Sequence, residues 1–294
     1  MWRPEPAATP GHLRSKEPDM NETSVAPAPV AAPPVRTRVR LPGVVYPVAG
    51  LVVTVFVWWL ITSVFRWANP VVLPPPQDVL RNFNTNRDFV LKGTLVTSLE
   101  VVVGFLISSA AGFLIGLVLA GSRVLERMFS PLLVAINAVP KIAFGPMLVA
   151  WLGWGQPPIQ FMIFVMSFFP VVLATVTGLT RTPSELAEMA RSLDASRRQM
   201  FVKVRLPSAL PQLFIGLKLA LPLASVGAVI GEFQAGDAAR PGLGSIILQT
   251  LGQGDSATAF GAFVLIAGTT IALYYVVVGA ERLLLPWVRA TTER

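Results

Sequence analysis

Cysteine is absent from this chain of 294 residues, and histidine occurs once, at His12. The absence of cysteine excludes disulfide bonds, thiol nucleophiles and cysteine-ligated metals. Because His12 lies in a polar N-terminal stretch, the rest of the chain has no histidine for catalysis or metal ligation. Neither H-E-x-x-H nor the phosphate-binding loop G-x-x-x-x-G-K-[ST] occurs. We therefore expect no catalytic residues, no metal site and no cofactor bound by this chain itself.

Charged residues are also scarce. They make up 14% of the chain, whereas a soluble domain carries roughly 25%. Hydrophobic residues make up 53%, the mean hydropathy is +0.62, and the apolar residues fall in blocks of about twenty. A helix of that length crosses about 30 Å of hydrocarbon. The sequence therefore predicts an all-α membrane protein with about six transmembrane helices. The predicted spans are 44–65, 95–121, 131–152, 159–179, 210–233 and 259–278.

The N-terminal segment differs in composition, because residues 1–35 hold eight prolines and no apolar periodicity. Such a segment buries too little apolar surface to offset its ordering entropy. We therefore expect a disordered cytoplasmic tail at 1–40, with Met20 as an alternative start, followed by a transmembrane domain at 41–294. Between the first two spans, the letters PPPQDVLRNF predict the start of a short amphipathic helix at the surface.

The net charge of +8 would point to nucleic acid in a soluble protein, but here the basic residues flank the apolar blocks. Lys and Arg collect in the short cytoplasmic loops of membrane proteins. With the N-terminus placed in the cytoplasm, the inner segments hold 14 Lys and Arg residues and the outer segments hold 5. The inner segments are 36–40, 121–130, 181–207 and 282–294, and the outer ones are 66–93, 153–157 and 234–257. Both termini and segment 181–207 are predicted to be cytoplasmic, and no nucleic-acid partner is expected.

Segment 181–207 reads RTPSELAEMARSLDASRRQMFVKVRLP. Its Ser184-Glu185 start, helix-forming residues and basic end predict an amphipathic helix outside the membrane. A plain cytoplasmic loop would also explain this composition, but the spacing indicates more. The segment resembles the EAA loop of binding-protein-dependent importer permeases, whose pattern is E-A-A-x3-G-x9-I-x-L-P. The matching positions are Glu188, Met189, Ala190, Asp194, Val204, Leu206 and Pro207.

Two of these positions depart from the family pattern. Met189 replaces an alanine and adds bulk on the expected docking face, although methionine adapts its shape readily. Asp194 replaces a glycine, which matters if the turn needs a positive φ. Asp enters the left-handed region more readily than most residues, but less readily than Gly. We therefore expect the turn after the triplet to differ in geometry.

Further segments are similar to permeases of the nitrate, sulfonate and taurine importer family, and the similarity spans residues 70–287. These segments are SLEVVVGFLISSAAGFLIGLVLAG, NAVPKIAFGPMLVAWLG, GLKLALPLASVGAVIGEF and RPGLGSIIL. The resemblance implies an ABC importer permease fold, multi-pass in the bacterial plasma membrane, with a cytoplasmic coupling helix within 181–207. It also implies the partners. Two copies of the chain form a pathway that works by alternating access, two cytoplasmic ATP-binding cassette subunits bind ATP and Mg, and an external binding protein delivers substrate.

Lys141 lies about ten residues into the third predicted span, roughly 15 Å deep at about 1.5 Å per residue. A lysine at that depth costs about 2.5–3.5 kcal/mol, so it normally faces a cavity or a partner. Pro140 removes a backbone hydrogen bond beside it and leaves a carbonyl free to line a pathway. We therefore predict an anion-attracting wall of the translocation path here. Alternatively, Lys141 pairs with a polar neighbour such as Asn137 or contacts the second copy.

Three other ionisable residues fall within the predicted spans. Lys218 in the fifth span is a further pathway candidate, or it extends to the cytoplasmic interface. Glu232, at the end of the fifth span, and Glu100, near the outer end of the second, are candidate gate or docking residues. Ordinary interfacial placement is the alternative for both glutamates.

An intramembrane Lys141 favours a small organic or inorganic anion as substrate, such as nitrate, a sulfonate or taurine. The stretch NAVPKIAFGP is also similar to family members that carry pyrimidine or flavin vitamin precursors, and this alternative stays open. A secondary transporter is the alternative from another class. It would need internal repeats and interrupted helices around an ion site, and the sequence shows no convincing repeat and no deep carboxylate.

Overall fold

Every regular element among the described residues is a helix. The computed structural model describes residues 45–65, 67 and 69–287, so the tail predicted at 1–40 lies outside the described residues. Contacts divide the chain between Val48 and Ala49, and the packing described below lies within the unit that starts at Ala49.

Eleven α-helices are described. In chain order they are α1 (Val45–Trp59), α2 (Pro76–Thr85), α3 (Arg87–Ala120), α4 (Arg123–Ala138), α5 (Gly145–Leu152), α6 (Gln156–Thr180), α7 (Ser184–Ser192), α8 (Arg197–Gln199), α9 (Leu206–Ala235), α10 (Leu243–Gly252) and α11 (Ser256–Leu284). Two π-helical turns, Leu60–Val64 and Met200–Arg205, follow α1 and α8, and a 3₁₀ turn at Lys141–Phe144 leads into α5.

Four helices are long and apolar enough to cross a membrane: α3, α6, the continuous helix Arg197–Ala235, and α11. The pair formed by α4 and Lys141–Leu152 meets the same criterion together, but it is bent by 79°. A further apolar helix, Val48–Val64, is shorter. The all-α membrane class is therefore confirmed, and the six predicted spans correspond to four long helices, one bent pair and one shorter helix.

Helices α3 and α6 run parallel and pack through small side chains. The small residues of α3 are Gly104, Ser108, Gly112 and Gly116, and the facing residues of α6 are Ile163, Ser167, Val171 and Thr175. A Cβ at Gly112 would lie 3.0 Å from the Cβ of Val171, and the hydroxyl oxygens of Ser108 and Ser167 are 2.7 Å apart. Small residues at every fourth position let the two backbones approach closely, which is how helices associate where lipid supplies no hydrophobic driving force.

Helix α9 packs against α6 in the antiparallel direction and again through small residues. Its glycines at 216, 227 and 231 face Ala174, Ile163 and Ile159. A Cβ at Gly231 would lie 2.9 Å from the Cα of Ile159, so the two backbones are in direct contact there. Ala220, Ala224 and Ala228 are fully buried between these glycines and beside them. Helices α3, α6 and α9 therefore form the core of the described chain.

The bend between α4 and α5 lies at Val139 and Pro140. Both residues have extended backbone, with ψ of 134° and 95°. Proline has no N–H and disfavours helical backbone at the residue before it, so α4 ends here. Pro146 lies in the first turn of α5, where a missing N–H is tolerated. The depth of about 15 Å expected for Lys141 assumed a straight helix, and the 79° bend removes that basis.

The amphipathic helix predicted after the first span is confirmed as α2, and it is tied to the start of α11. The Asn82 amide donates to the Asp255 carboxylate (2.9 Å), and the Asn86 amide donates to the Thr258 hydroxyl (3.1 Å). Asp255 caps α11 by accepting from the Thr258 N–H (3.0 Å). Partial burial alone would raise the pKa of Asp255, but the hydrogen bonds from Thr258 and Asn82 help to lower it below its usual value.

Candidate coupling segment and pathway residues

Helix α7 carries the Glu-Met-Ala triplet and presents an apolar stripe. Leu186, Met189 and Leu193 follow one another at spacings of three and four residues, which places them on one face. Their exposed fractions are 41%, 58% and 74%, so nothing in the described part of the chain covers them. Ala190, on the neighbouring face, is buried, whereas Glu188 is exposed. The helix therefore packs on one side and offers apolar surface on another.

Helix α7 ends in a turn built around Asp194, whose φ is 50°. Among the described residues it is the only one other than glycine with a positive φ. The Asp194 N–H donates to the Arg191 carbonyl (3.0 Å), and the Ala195 N–H donates to the Ala190 carbonyl (3.1 Å). These two bonds form a Schellman motif, in which glycine usually occupies the left-handed position. Contrary to the expectation, Asp194 itself adopts the backbone conformation that a glycine would favour.

The second half of the motif lies in a separate helix, which corrects the prediction of one amphipathic helix across this segment. Ser196 starts the new helix with a reciprocal capping box, in which its hydroxyl accepts from the Gln199 N–H (3.2 Å) and its own N–H donates to the Gln199 side chain (2.9 Å). The Schellman turn and this capping box end one helix and begin the next within a few residues. The positions concerned are Val204 in the π-helical turn and Leu206 and Pro207 at the start of α9.

This arrangement connects α7 directly to the core. A three-residue link, 181–183, joins it to α6, and the Schellman turn joins it to the continuous helix Arg197–Ala235 that contains α9. Helices α6 and α9 contact each other more extensively than any other pair in the described chain. A displacement of α7 would therefore be transmitted to the two most tightly packed helices.

Lys141 lies in the bend between α4 and α5 and is partly buried. Its ammonium group donates to the Asn137 side chain at 2.7 Å, one of the alternatives that the sequence left open. The same nitrogen lies 5.5 Å from the ring centroid of Phe169, within the range of a cation–π interaction. Asn137 also lines a cavity of about 280 Å³ between α4, α6 and α9, together with Thr177 and Gln212. The structure thus brings Lys141 into contact with Asn137, and Asn137 in turn lines a mostly apolar cavity.

Lys218 forms an ion pair with a residue near the end of α11. Its ammonium group lies 2.9 and 3.0 Å from the two carboxylate oxygens of Glu281, and both side chains are largely buried. The pair joins α9 to α11. Sequence reasoning missed Glu281 because it lies near the end of the last span, among charges that look interfacial. The available signal was Lys218 itself, since a lysine inside a span requires a partner.

Glu232 is buried, with 3% of its surface exposed, and it caps α10. One carboxylate oxygen accepts from the Thr97 hydroxyl (2.6 Å), and the other accepts from the N–H groups of Gly244 (2.6 Å) and Ser245 (3.2 Å). The Thr97 hydroxyl in turn accepts from the Leu243 N–H (2.7 Å). A helix N-terminus has free N–H groups and favours negative charge. Glu232 therefore links α3, α9 and α10, and sequence reasoning had missed Thr97 as its partner.

Glu100 is buried as well, with 5% of its surface exposed. Its carboxylate accepts from the Gln156 side-chain amide (2.5 Å), and the Gln160 amide donates to its backbone carbonyl (3.3 Å). Both glutamines lie in the first turns of α6. Glu100 therefore fastens α3 to the start of α6.

Comparison with known proteins defines the class. Residues 112–290 match the family described as "Binding-protein-dependent transport system inner membrane component". The chain belongs to this family, and it is the inner-membrane permease component of an ABC importer. This membership implies an ATPase subunit and a substrate-binding protein as partners, and it sets aside the secondary transporter considered from the sequence.

Several named permeases are similar to the chain along most of their length. The chain is 33% identical over 247 residues to the riboflavin transport system permease protein RibX of Chloroflexus aurantiacus, covering 82% of this chain and 91% of that one. It is 30% identical over 223 residues to a probable ABC transporter permease protein of Haemophilus influenzae (76% and 89%). It is also 30% identical over 219 residues to the formylaminopyrimidine transport permease protein ThiX of Halalkalibacterium halodurans (74% and 86%).

Proposed function

We propose that α7 and the Asp194 turn form the coupling element of the importer and dock in a groove of a cytoplasmic ATPase subunit. The observation that carries this proposal is the exposed apolar stripe of Leu186, Met189 and Leu193. A groove that covers the stripe removes apolar surface from water, which stabilises the contact by about 25 cal/mol per Å². Movement of the ATPase then reaches α6 and α9 through the short links at both ends of α7.

In this arrangement both termini and α7 face the cytoplasm, as the distribution of Lys and Arg favours. ATP and Mg are bound by the two ATPase subunits, and the chain itself binds no cofactor. The external binding protein meets the opposite end of the bundle, where α3 and α6 begin and α9 ends.

The translocation pathway is proposed to form between two copies of the chain. Lys141 is only partly buried, and its partner Asn137 is exposed. A lysine and an amide on a lipid-facing surface of a membrane helix would be costly, so this face requires a second copy or a water-filled path. The cavity of about 280 Å³ beside Asn137 supports the same assignment. Alternating access would open and close this path, with Pro140 marking the bend of α4 and α5.

The coupling proposal is tested by purification with the ATPase partner. Met189→Asp places a charge in the proposed groove, and we expect at least tenfold less ATPase to co-purify because an unpaired charge would be buried. The matched control is Leu80→Asp on α2, which adds the same charge at an exposed apolar position far along the chain from α7. Undiminished ATPase binding by Met189→Asp, and by a chain lacking residues 184–194, would show that α7 is not the coupling element.

The substrate is proposed to be a small anion of the nitrate, sulfonate or taurine type. Lys141 supplies a positive charge whose only described partners are a neutral amide and an aromatic ring, so it keeps its capacity to attract an anion. Relatives named for aliphatic sulfonates, bicarbonate and nitrate lie within the same set of similar proteins.

A pyrimidine or flavin vitamin precursor is the second candidate substrate. The observation in its favour is coverage: the relatives named for riboflavin and formylaminopyrimidine match more of this chain than those named for sulfonates, bicarbonate or nitrate. Such a substrate would use the polar side chains that line the cavity, Asn137, Thr177 and Gln212, rather than the charge of Lys141.

Import into proteoliposomes that contain the ATPase and the binding protein separates the two candidates. For an anionic substrate, Lys141→Gln should reduce the import rate at least tenfold and Lys141→Arg much less. Lys92→Gln, which removes an exposed charge, should have no effect. The second candidate would instead be supported if the chain imports riboflavin or a formylaminopyrimidine and Lys141→Gln leaves that import rate unchanged.

A further inference from the structure

A cavity of about 460 Å³ separates the coupling segment from the ends of α3 and α6. Three arginines line it: Arg191 of α7, Arg197 of α8 and Arg205 of the π-helical turn. The rest of the wall is apolar or small, and its members are Ala120, Gly121, Leu179, Ala195, Met200 and Phe201. No carboxylate is among these described lining residues. The volume lies within the range of small-ligand pockets, roughly 300–1,000 Å³.

The three arginines lack a counter-charge within the chain as described. Within the described residues, the ion pair that forms is the one between Lys218 and Glu281. Arg191, Arg197 and Arg205 therefore have no carboxylate partner among those residues. The three arginines are exposed, so water screens part of their mutual repulsion, and an anion held between them would offset the remainder. The site therefore has both the space and the charge for an anionic ligand.

The chemistry of arginine narrows the kind of anion. The planar guanidinium group binds phosphate oxygens through two parallel N–H groups, and arginine is the usual residue for such recognition. Basic pockets between membrane helices on the cytoplasmic side hold phosphate-bearing lipid headgroups. Ala120 is the last residue of α3 and Leu179 is the second-last residue of α6, so the cavity lies at the ends of two helices that are long and apolar enough to span a membrane.

We propose that this cavity binds a phosphate group, that of an anionic phospholipid such as phosphatidylglycerol from the cytoplasmic leaflet. The placement in that leaflet rests on the proposed orientation of the chain. The apolar wall formed by Leu179, Met200 and Phe201 lies where the glycerol and first methylenes of a lipid would sit. The ATPase-docking stripe of Leu186, Met189 and Leu193 does not line the cavity, so the two surfaces are separate.

A phosphate in this position would connect the coupling element to the membrane helices. Arg191 belongs to α7, whereas Arg197 and Arg205 belong to the helix that continues into α9. A ligand held by all three therefore spans the Asp194 turn and restricts the angle between α7 and α9. Coupling of ATP hydrolysis to transport would then depend on the charge of the surrounding leaflet.

The test uses the full chain in neutral detergent, without the ATPase, and measures phosphatidylglycerol binding by native mass spectrometry and thermal stabilisation. Phosphatidylcholine is the reference lipid. We expect phosphatidylglycerol to bind the unaltered chain more tightly than phosphatidylcholine does. The combined change Arg191→Gln, Arg197→Gln and Arg205→Gln should weaken binding about a hundredfold, at about fivefold per arginine. The matched control, Arg181→Gln with Arg198→Gln and Lys203→Gln, removes the same charge from the same segment but from residues outside the cavity lining.

A second arm distinguishes the source of the phosphate. Inorganic phosphate and glycerol 3-phosphate are titrated into the lipid-depleted chain and into the cavity variant, which carries the three arginine-to-glutamine changes. If either compound stabilises the unaltered chain at millimolar concentration but not the cavity variant, a soluble phosphate compound is supported as the natural ligand. Equal loss of binding in the cavity variant and the control variant would overturn the proposal, because general surface charge would then explain it. Absence of any preference for phosphate ligands would overturn it as well.

A third arm addresses the ATPase. If the single changes Arg191→Gln, Arg197→Gln or Arg205→Gln abolish ATPase co-purification while phosphatidylglycerol binding is unchanged, the arginines belong to the docking surface and the proposal is wrong. Lipid binding is measured without the ATPase. The result therefore does not depend on whether Met189→Asp confirms or contradicts the coupling proposal.

Discussion

Two glutamates, Glu188 and Glu232, occupy opposite kinds of environment in this molecule. Glu232 is buried and accepts hydrogen bonds from Thr97, Gly244 and Ser245, so its carboxylate is satisfied within the chain. Glu188 lies exposed on α7, beside an apolar stripe that nothing in the described chain covers. The polar groups of the first region are satisfied within a single chain, whereas the second region leaves apolar side chains exposed. Residues of the same type thus contribute to stability in one place and, in the proposed coupling element, lie exposed in the other.

The same contrast extends to apolar and small residues. Along α3, α6 and α9, small side chains are buried where backbones approach each other. Along α7, large apolar side chains are exposed outside the packed core. Burial of small residues stabilises a helix bundle in lipid through close packing. Large exposed residues mark an interaction surface only outside the membrane, where the proposed orientation puts α7.

The largest expected difference is between Glu232→Ala and Glu188→Ala. Loss of the Glu232 carboxylate leaves the N–H groups of Gly244 and Ser245 buried without an acceptor, at about 1–3 kcal/mol for each. We expect destabilisation of about 2–6 kcal/mol, measured by thermal or denaturant unfolding in detergent. Glu188→Ala should change stability by less than about 0.5 kcal/mol. Equal effects of the two changes would remove the contrast between the regions.

A smaller effect is expected from Gly231→Ala, compared with Gly268→Ala in α11. The added Cβ at Gly231 would lie 2.9 Å from the backbone of Ile159, and only a backbone shift can relieve this contact. Overpacking of this kind costs about 1–3 kcal/mol. Nothing lies within 4 Å of a Cβ at Gly268, so alanine there should be neutral or stabilising by up to about 1 kcal/mol. Unfolding midpoints in detergent report both; a Gly231→Ala chain as stable as the original would argue against the close α6–α9 packing.

The smallest effect on stability is expected at Asp194, where the change acts on coupling instead. Asp194→Gly keeps the left-handed turn and should leave both unfolding and ATPase co-purification unchanged. Asp194→Val should strain the turn by about 1–2 kcal/mol and displace α7, so ATPase binding should fall while the core unfolds at nearly the same temperature. Identical ATPase binding by the valine and glycine variants would show that the turn geometry does not position α7.

Local patterns predicted the helices and the motif well, and they failed where a distant partner or a bend decides the outcome. The small residues of α3 recur at every fourth position of the sequence, and the letters PPPQDVLRNF predicted the amphipathic α2. The single helix expected across 181–207 was wrong, because the Schellman turn at Asp194 and the capping box at Ser196 interrupt it. The pathway role of Lys141 stays a prediction, while its contact with Asn137 was among the alternatives considered.

The sequence by itself determined the class of protein, since apolar blocks of membrane-spanning length and the spacing of the EAA-like motif are local properties of the chain. Only the tertiary structure decided which ionisable residues are satisfied internally. Lys218 meets Glu281 across 63 residues, and Glu232 meets Thr97 across 135. Arg191 lies before the Asp194 turn and Arg197 and Arg205 lie after it, and only the fold places all three around one cavity. Contacts between residues so far apart depend on how helices pack, and packing is set by the complementary shapes of whole helix faces rather than by any local pattern.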